Sequence, residues 1–327
     1  MTQAPTIVAA GKGEFRPPDP DGYREYVRDH KERRLISKLV SEHAAVSRFV
    51  SDGDYVAYDL NIAARGPGSL FREIIRQRKK DLWVMAKFTW TDVSLLISGG
   101  CVSKVDVGWM ESGPILNRAI KDGSVKLIEW SNGALAYRLL AGSLGVPYLP
   151  MRYLGGTDTF EQSGAIHTED PYNHKPICIV PALNPDVALI HAHQADMYGN
   201  TRIFGAGVSP VEMAMASKKV IVSAEEIIDT IEIRKQPQRT TIPYYFVDAV
   251  VHAPFGSYPG STQGLYGADL EQWLAFAAAG AMGKTDEYLE NWVYSVGSHQ
   301  EMLEKRVGEA KLKALRDADT LKEGYYD

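Results

Sequence analysis

The sequence predicts an α/β fold, an open and mostly parallel sheet with helices on both faces. Short apolar runs alternate with segments of helical periodicity along most of the chain, which is how βαβ units read. Two long stretches, from Val187 to Gly205 and from Lys219 to Asp229, pass from apolar to polar residues. Each reads as a buried strand carrying side chains to the edge of a sheet.

The elements follow in order. Residues 1–30 are rich in Pro, Gly, Asp and charge and read as an N-terminal arm without core, leaving 31–327 as one domain. Ser37 to Val50 has helical spacing, Asp52-Gly53-Asp54 is a turn, and Tyr55 to Leu60 is a strand. Gly66-Pro67-Gly68 closes the loop after it, and Ser69 to Arg76 reads as an N-capped helix. Leu82 to Ala86 is the next strand, Thr91 to Ile97 a helix ended by Gly99-Gly100, and Lys104 to Trp109 a strand in which Asp106 is an odd guest. Residues 125–130 read as a strand, 131–144 as a helix and 146–150 as the next strand. Residues 151–176 and 256–264 are loop-rich, and loops of that length are commonly lids or interface elements. The tail from Glu301 to Asp327 reads as a solvated helix.

Composition excludes several classes. The chain has 327 residues, 45% of them hydrophobic, and a net charge of -5 with pI near 5.9. That balance gives no general attraction to nucleic acid or to an anionic membrane. No apolar run approaches the ~20 residues of a membrane span, and no leader pattern opens the chain, so a cytoplasmic location is expected. Cys101 and Cys178 have neither metal spacing nor a disulfide framework and read as small core residues. No Gly-x-Gly-x-x-Gly stands between a strand and a helix, which argues against a nicotinamide enzyme.

Six landmarks carry a resemblance: Asp52-Gly53-Asp54 with its strand, Gly145 to Pro150, Ile190 to Ala195, Arg202 to Gly205, Glu225 to Ile228, and Val247 to Gly256. Their order and spacing resemble the α subunit of family I CoA-transferases, and most closely the glutaconate type. The resemblance implies a β-subunit partner of similar fold in an α2β2 or larger assembly. It also implies acyl-CoA and a small carboxylic acid as substrates, and no permanently bound cofactor or metal. In that family a glutamate attacks the thioester and becomes an enzyme-CoA thioester, a covalent route with ping-pong kinetics. The family places this glutamate in a Glu-Asn-Gly setting of the β subunit. Here the nearest string, Glu290-Asn291-Trp292, lies in a helical region, so the nucleophile is expected in the partner. The family's Gly-Gly-Phe after the first strand is replaced by Asp59-Leu60-Asn61, with Arg65 and Pro67 on the family's Arg and Pro. That departure implies a rebuilt acyl pocket, or else a hydrolase (ring-cleaving) or decarboxylase acting on a CoA thioester. A non-catalytic sensing module is a third reading, supported by fold analogy alone.

Candidate site residues follow. Asn61, at a strand's carboxyl end, is placed to donate to a thioester oxygen or a carboxylate, or else simply forms the turn. Arg65 lies in the glycine loop before a helix, where it suits an anion or pairs with an Asp. Glu111 and Ser112 follow a strand near the family's Asn-Ser-Gly turn: Glu111 is the candidate general base of this chain, against a plain exposed carboxylate, and Ser112 a substrate contact. His191 and His193 share one strand face, and Gln194, a further substrate-binding candidate, faces the other way. The histidines read as hydrogen-bonded structural groups rather than metal ligands. Glu225 and Glu226 are expected at a helix N-terminus with side chains diverging.

Overall fold

The computed structural model describes residues 7–319 except positions 61, 90, 111, 112 and 206. Its strands are β1 (Ile7–Ala10), β2 (Tyr55–Tyr58), β3 (Leu82–Thr89), β4 (Val102–Met110), β5 (Lys126–Glu129), β6 (Tyr148–Met151), β7 (Ile166–Glu169), β8 (Pro176–Pro181), β9 (Val187–Ala195), β10 (Thr201–Arg202), β11 (Lys219–Ile227) and β12 (Ala249–His252). The main sheet runs β12-β11-β9-β2-β3-β4-β5 with every neighbouring pair parallel, and β10 adds antiparallel to β9. The expected open, mostly parallel sheet is therefore present.

Alternation along each strand splits the core in two. Val56, Tyr58, Val84, Ala86, Val187 and Leu189 pack with the helices Glu42–Phe49, Gly68–Arg76 and Thr91–Ser98. Tyr55, Ala57, Met85, Ala188 and Ile190 pack on the other face, against the helices Asn132–Leu144 and Pro210–Ala216. Most of the helix ends follow simple chemistry. Ser41 and Ser131 cap their helices by accepting from Ala44 N and Ala134 N, and Gly145 closes the second with a left-handed φ of 69°. The helix from Gly68 has no side-chain cap, contrary to the N-capped reading; Pro67 precedes it.

Asp106 now has a reason. It is fully buried, pairs with Arg138 Nη1 at 2.7 Å, accepts from Trp83 Nε1 at 2.9 Å and from the Tyr55 hydroxyl, and so fixes the helix Asn132–Leu144 to the sheet. Both thiols are buried, and burial pushes Cys101 up to about 12 and also raises Cys178, which makes poor nucleophiles of them.

Two expectations differ from the structure. The stretch 151–176 is not a free loop: β7 and β8, with β6 and β1, form a separate antiparallel sheet in the order β1-β7-β8-β6. The N-terminal lead-in is also built, with β1 on β7 and a helix Pro20–His30 whose Tyr23 is buried against Met215 O. It is tied down by polar contacts, Arg16 to Asp186 at 2.5 Å and Glu14 to Lys104 and Lys126. Short edge strands and ion pairs give no hydrophobic period, so sequence patterning does not reveal either region. The tail helix Glu309–Ala318 is mostly exposed, but Leu315 is buried beside Phe255 and Tyr266. No helix among the described residues is long and apolar enough to cross a membrane.

Candidate active site

In open α/β sheets ligands sit beyond the carboxyl ends of the strands. Here that edge is built from the loop after β2 and the loop after β12. The two are stitched together by backbone bonds: Arg65 N to Ser261 O, Ser261 N to Ala63 O and Ser69 N to Gly256 O, each 2.8 Å. Gly68 is required by this close approach, since a Cβ there would meet Tyr258 O at 2.6 Å. The Gly256 carbonyl also takes one of the first N–H groups of the helix Gly68–Arg76. That end of the helix is occupied by protein rather than held open for an anion.

Arg65 is completely buried at φ 60°, forms an ion pair with Asp59 at 2.8 Å and donates to His191 O at 3.3 Å. Asp59 also accepts from Val208 N at 3.1 Å. Burial pushes the Asp59 carboxyl up, against the Arg65 guanidinium, which lowers it. Asp59 and Arg65, which stand out in the sequence as a family departure and an anion binder, thus form an internal brace between the β2 loop and β9.

A second polar cluster centres on Glu225. Its carboxylate accepts from His191 Nε2 at 2.7 Å, Tyr266 Oη at 2.5 Å, Phe255 N at 2.6 Å and Thr262 Oγ1 at 3.3 Å. His191 Nδ1 in turn accepts from Ser223 Oγ at 2.9 Å. Burial pushes the Glu225 carboxyl up, but the His191, Tyr266 and Phe255 donors outweigh it and hold it below its ordinary value. Four donors, three of them on Oε1, hold this carboxylate ionised and fixed in place, which makes it a poor nucleophile toward a thioester. Glu225 and Glu226 lie inside β11, not at a helix start; the cap of the next helix is Asp229. Their side chains do diverge, Glu225 inward and Glu226 to Gln194 Nε2 at 2.7 Å.

His193 donates from Nε2 to Gln263 O at 2.9 Å and accepts Phe204 N–H at Nδ1 at 3.1 Å. Burial lowers its pKa, and both ring nitrogens are engaged by protein, as a structural histidine requires. Among the described residues no cluster of three His, Cys, Asp or Glu could hold a metal. Gln194 is half-buried beside an open recess of about 230 Å³ that also touches Glu225, Phe204 and Arg316. Asn61, Glu111 and Ser112 lie outside the described residues.

Sequence reasoning missed two features. Lys87, in the otherwise apolar β3, is half-buried, donates to Ser209 Oγ at 3.0 Å and makes no ion pair among the described residues. Burial lowers its pKa. A lysine inside an apolar run was the available signal, as Asp106 was for its own site. The other feature is a cavity of about 60 Å³ walled by Leu60, Phe71, Trp273, Phe276, Tyr288 and Trp292. Its walls come from segments distant in sequence, which no local pattern brings together.

The parallel sheet is an α/β architecture, and the chain belongs to the Coenzyme A transferase family, whose pattern matches residues 40–253. Within that family it is of the α type found in family I. It is 28% identical to the α chain of glutaconate CoA-transferase from Acidaminococcus fermentans over 86% of this chain and 95% of that one. The crystal structure of that transferase superposes with a TM-score of 0.81, covering 86% of this chain and 96% of that one. The corresponding chain of the 3-oxoadipate CoA-transferase of Pseudomonas knackmussii is 32% identical over 72% of this chain and 85% of its own. The decarboxylase AibA/AibB also matches, at 28% identity and a TM-score of 0.70, over 78% and 98% of the two chains.

Proposed function

We propose that this chain is the α half of a heteromeric acyl-CoA:carboxylate CoA-transferase of the glutaconate type, working with a β subunit of similar fold in an α2β2 or larger complex. The observation that carries the reading is the state of the carboxylates at the active edge. Asp59 is buried against Arg65, Glu225 is saturated with donors, and Glu226 is held by Gln194. All three are engaged by other groups of this chain, which fits a glutamate supplied by the partner. Its carboxylate attacks the thioester carbonyl and expels CoA thiolate. The thiolate then attacks the resulting anhydride at the glutamyl carbonyl, releasing the first carboxylic acid and leaving a glutamyl-CoA thioester. An acceptor carboxylate reverses the steps and departs as the new acyl-CoA. Lys87, a cation without an ion pair among the described residues, stands near the end of a central strand and suits the acceptor carboxylate. Arg65 acts as a positioning residue for the β2 loop, and Gln194, Asn61 and Ser112 remain proposed substrate contacts.

A second reading has its own observation. Asp59-Leu60-Asn61 replaces the two glycines of the family loop, and one relative on this fold is a decarboxylase. In that scheme Glu111 is the general base and no glutamyl-CoA forms.

Mass spectrometry of the CoA species, after the native complex is incubated with a panel of acyl-CoAs with and without acetate, separates the two. Acetyl-CoA formed only in the presence of acetate is the expected result. Gain of water or loss of carbon dioxide without acetate would replace the transferase by the second reading.

A further inference from the structure

We propose that the aromatic cavity is the acyl pocket and that it selects an uncharged, apolar acyl group. The inference rests on the transferase reading for its chemistry, but the selectivity is argued from the cavity itself. Leu60, Ala63 and Gly66 reach it from the loop after β2, Thr91 from the start of the helix after β3, and Tyr258 and Gly260 from the loop after β12. It therefore lies at the carboxyl edge where thioester chemistry belongs. Leu60, which stands where the family loop has its second glycine, supplies part of the apolar wall.

The charge in the lining is internally balanced. Arg72 donates to Tyr258 O at 2.8 Å and to His299 Nδ1 at 2.9 Å, and the half-buried Glu42 is a countercharge to it. Burial lowers the guanidinium only to about 10, so it stays charged at neutral pH. On the other side Asp92 accepts the Tyr58 hydroxyl. A substrate carboxylate would have to compete with Glu42 for Arg72 and would face Asp92, whereas a hydrocarbon meets only aromatic and aliphatic walls.

The cavity is small, about 60 Å³, and suits the inner carbons of an acyl chain. Thr91, Trp273 and Phe276 also wall an adjoining trough of about 330 Å³, bounded by Ile115, Leu270 and Leu274. Leu270 and Leu274 are 59% and 69% exposed, an apolar stripe that a longer tail would cover.

The test uses the native complex. Dissociation constants for acetyl-, butyryl-, valeryl-, benzoyl- and glutaryl-CoA are read from tryptophan fluorescence, since Trp273 and Trp292 line the cavity, and kcat/KM is measured with acetate as acceptor. Affinity is expected to rise about fourfold per added methylene, with glutaryl-CoA at least tenfold weaker than valeryl-CoA, its uncharged counterpart in length. Leu95 also lines the cavity, and Leu95→Trp, which fills it, lowers the ratio of valeryl- to acetyl-CoA affinity at least tenfold. Leu95→Ala, which adds no bulk, shifts the preference toward benzoyl-CoA and keeps the test open if the larger residue prevents folding. Flat affinities across the series, or tightest binding of glutaryl-CoA on Arg72, would overturn the proposal. Loss of acetate exchange would overturn the transferase reading while the dissociation constants still decide the pocket.

Discussion

The polar cluster around Glu225 and the aromatic cavity occupy the same edge of the sheet and are built by opposite rules. In the first, the carboxylate has four donors and both nitrogens of His191 are engaged. In the second, large rings enclose unfilled space and the charged groups are held at the wall by other protein groups. A fully satisfied network fixes a loop and has nothing left to offer a ligand, whereas a preformed apolar cavity has bonding capacity still unused. Among the described residues Asp59, Arg65, Glu225 and His193 are thus frame, while residues that read as ordinary core, such as Leu60 and Phe71, wall the open space.

The largest expected effect tests the frame. Glu225→Ala leaves His191, Tyr266 and the Phe255 N–H buried without their acceptor, and should destabilise the protein by about 3–5 kcal/mol in chemical denaturation. Normal stability with abolished turnover would instead make Glu225 part of the chemistry and erase the contrast between the two regions.

Particular residues show how much of this is legible in the sequence. The main strands are readable because burial on both faces makes long apolar runs, as in Val187–Ala195. The antiparallel sheet is not, because β6 and β7 are four-residue strands, only partly buried, that pair with β8 rather than showing a pattern of their own. Position along a strand indicates that His191 and His193 share a face, but not that Gln263 O and Phe204 N occupy His193. Arg65 is visible as a charged loop residue, yet only tertiary structure places it in a pair with no exposure. The cavity is the least legible part, since Leu60, Thr91, Tyr258 and Trp273 meet only after folding.

A smaller effect concerns the seam between the two regions. His299 donates to Pro254 O at 2.9 Å and accepts from Arg72, and burial, then the Arg72 charge, hold its pKa well below 6.5. Burial lowers His193 in the same direction. As pH falls below 6.5 the unfolded chain takes up protons that the folded chain refuses, so this stability is present above 6.5 and is lost as pH drops toward the folded values. His299→Gln should remove one proton's share, about 1 kcal/mol of the stability change between pH 6.5 and 5.5 and a slope approaching about 1.4 kcal/mol per pH unit below that, when denaturation is followed across this range. Equal slopes in the two proteins would mean that His299 is not held neutral at the seam.

The smallest effect on stability should come from Lys87, and it sharpens the comparison most. Its ammonium donates to Ser209 Oγ and makes no ion pair among the described residues, and burial already disfavours its charge. Lys87→Ala therefore removes one hydrogen bond and its attraction to Asp59 and Glu212 along with a desolvation penalty, and stability should change by less than about 1 kcal/mol. If the ammonium meets the acceptor acid, KM for acetate rises at least tenfold while the dissociation constant for the acyl-CoA stays close to that of the wild type, because the acyl group is held by the aromatic cavity. A residue that served only the fold would give the reverse, a clear loss of stability with KM unmoved. Steady-state kinetics at varied acetate, alongside a denaturation curve for the same variant, separates these outcomes and shows whether polar groups at this edge divide into frame and site as Glu225 and Lys87 suggest.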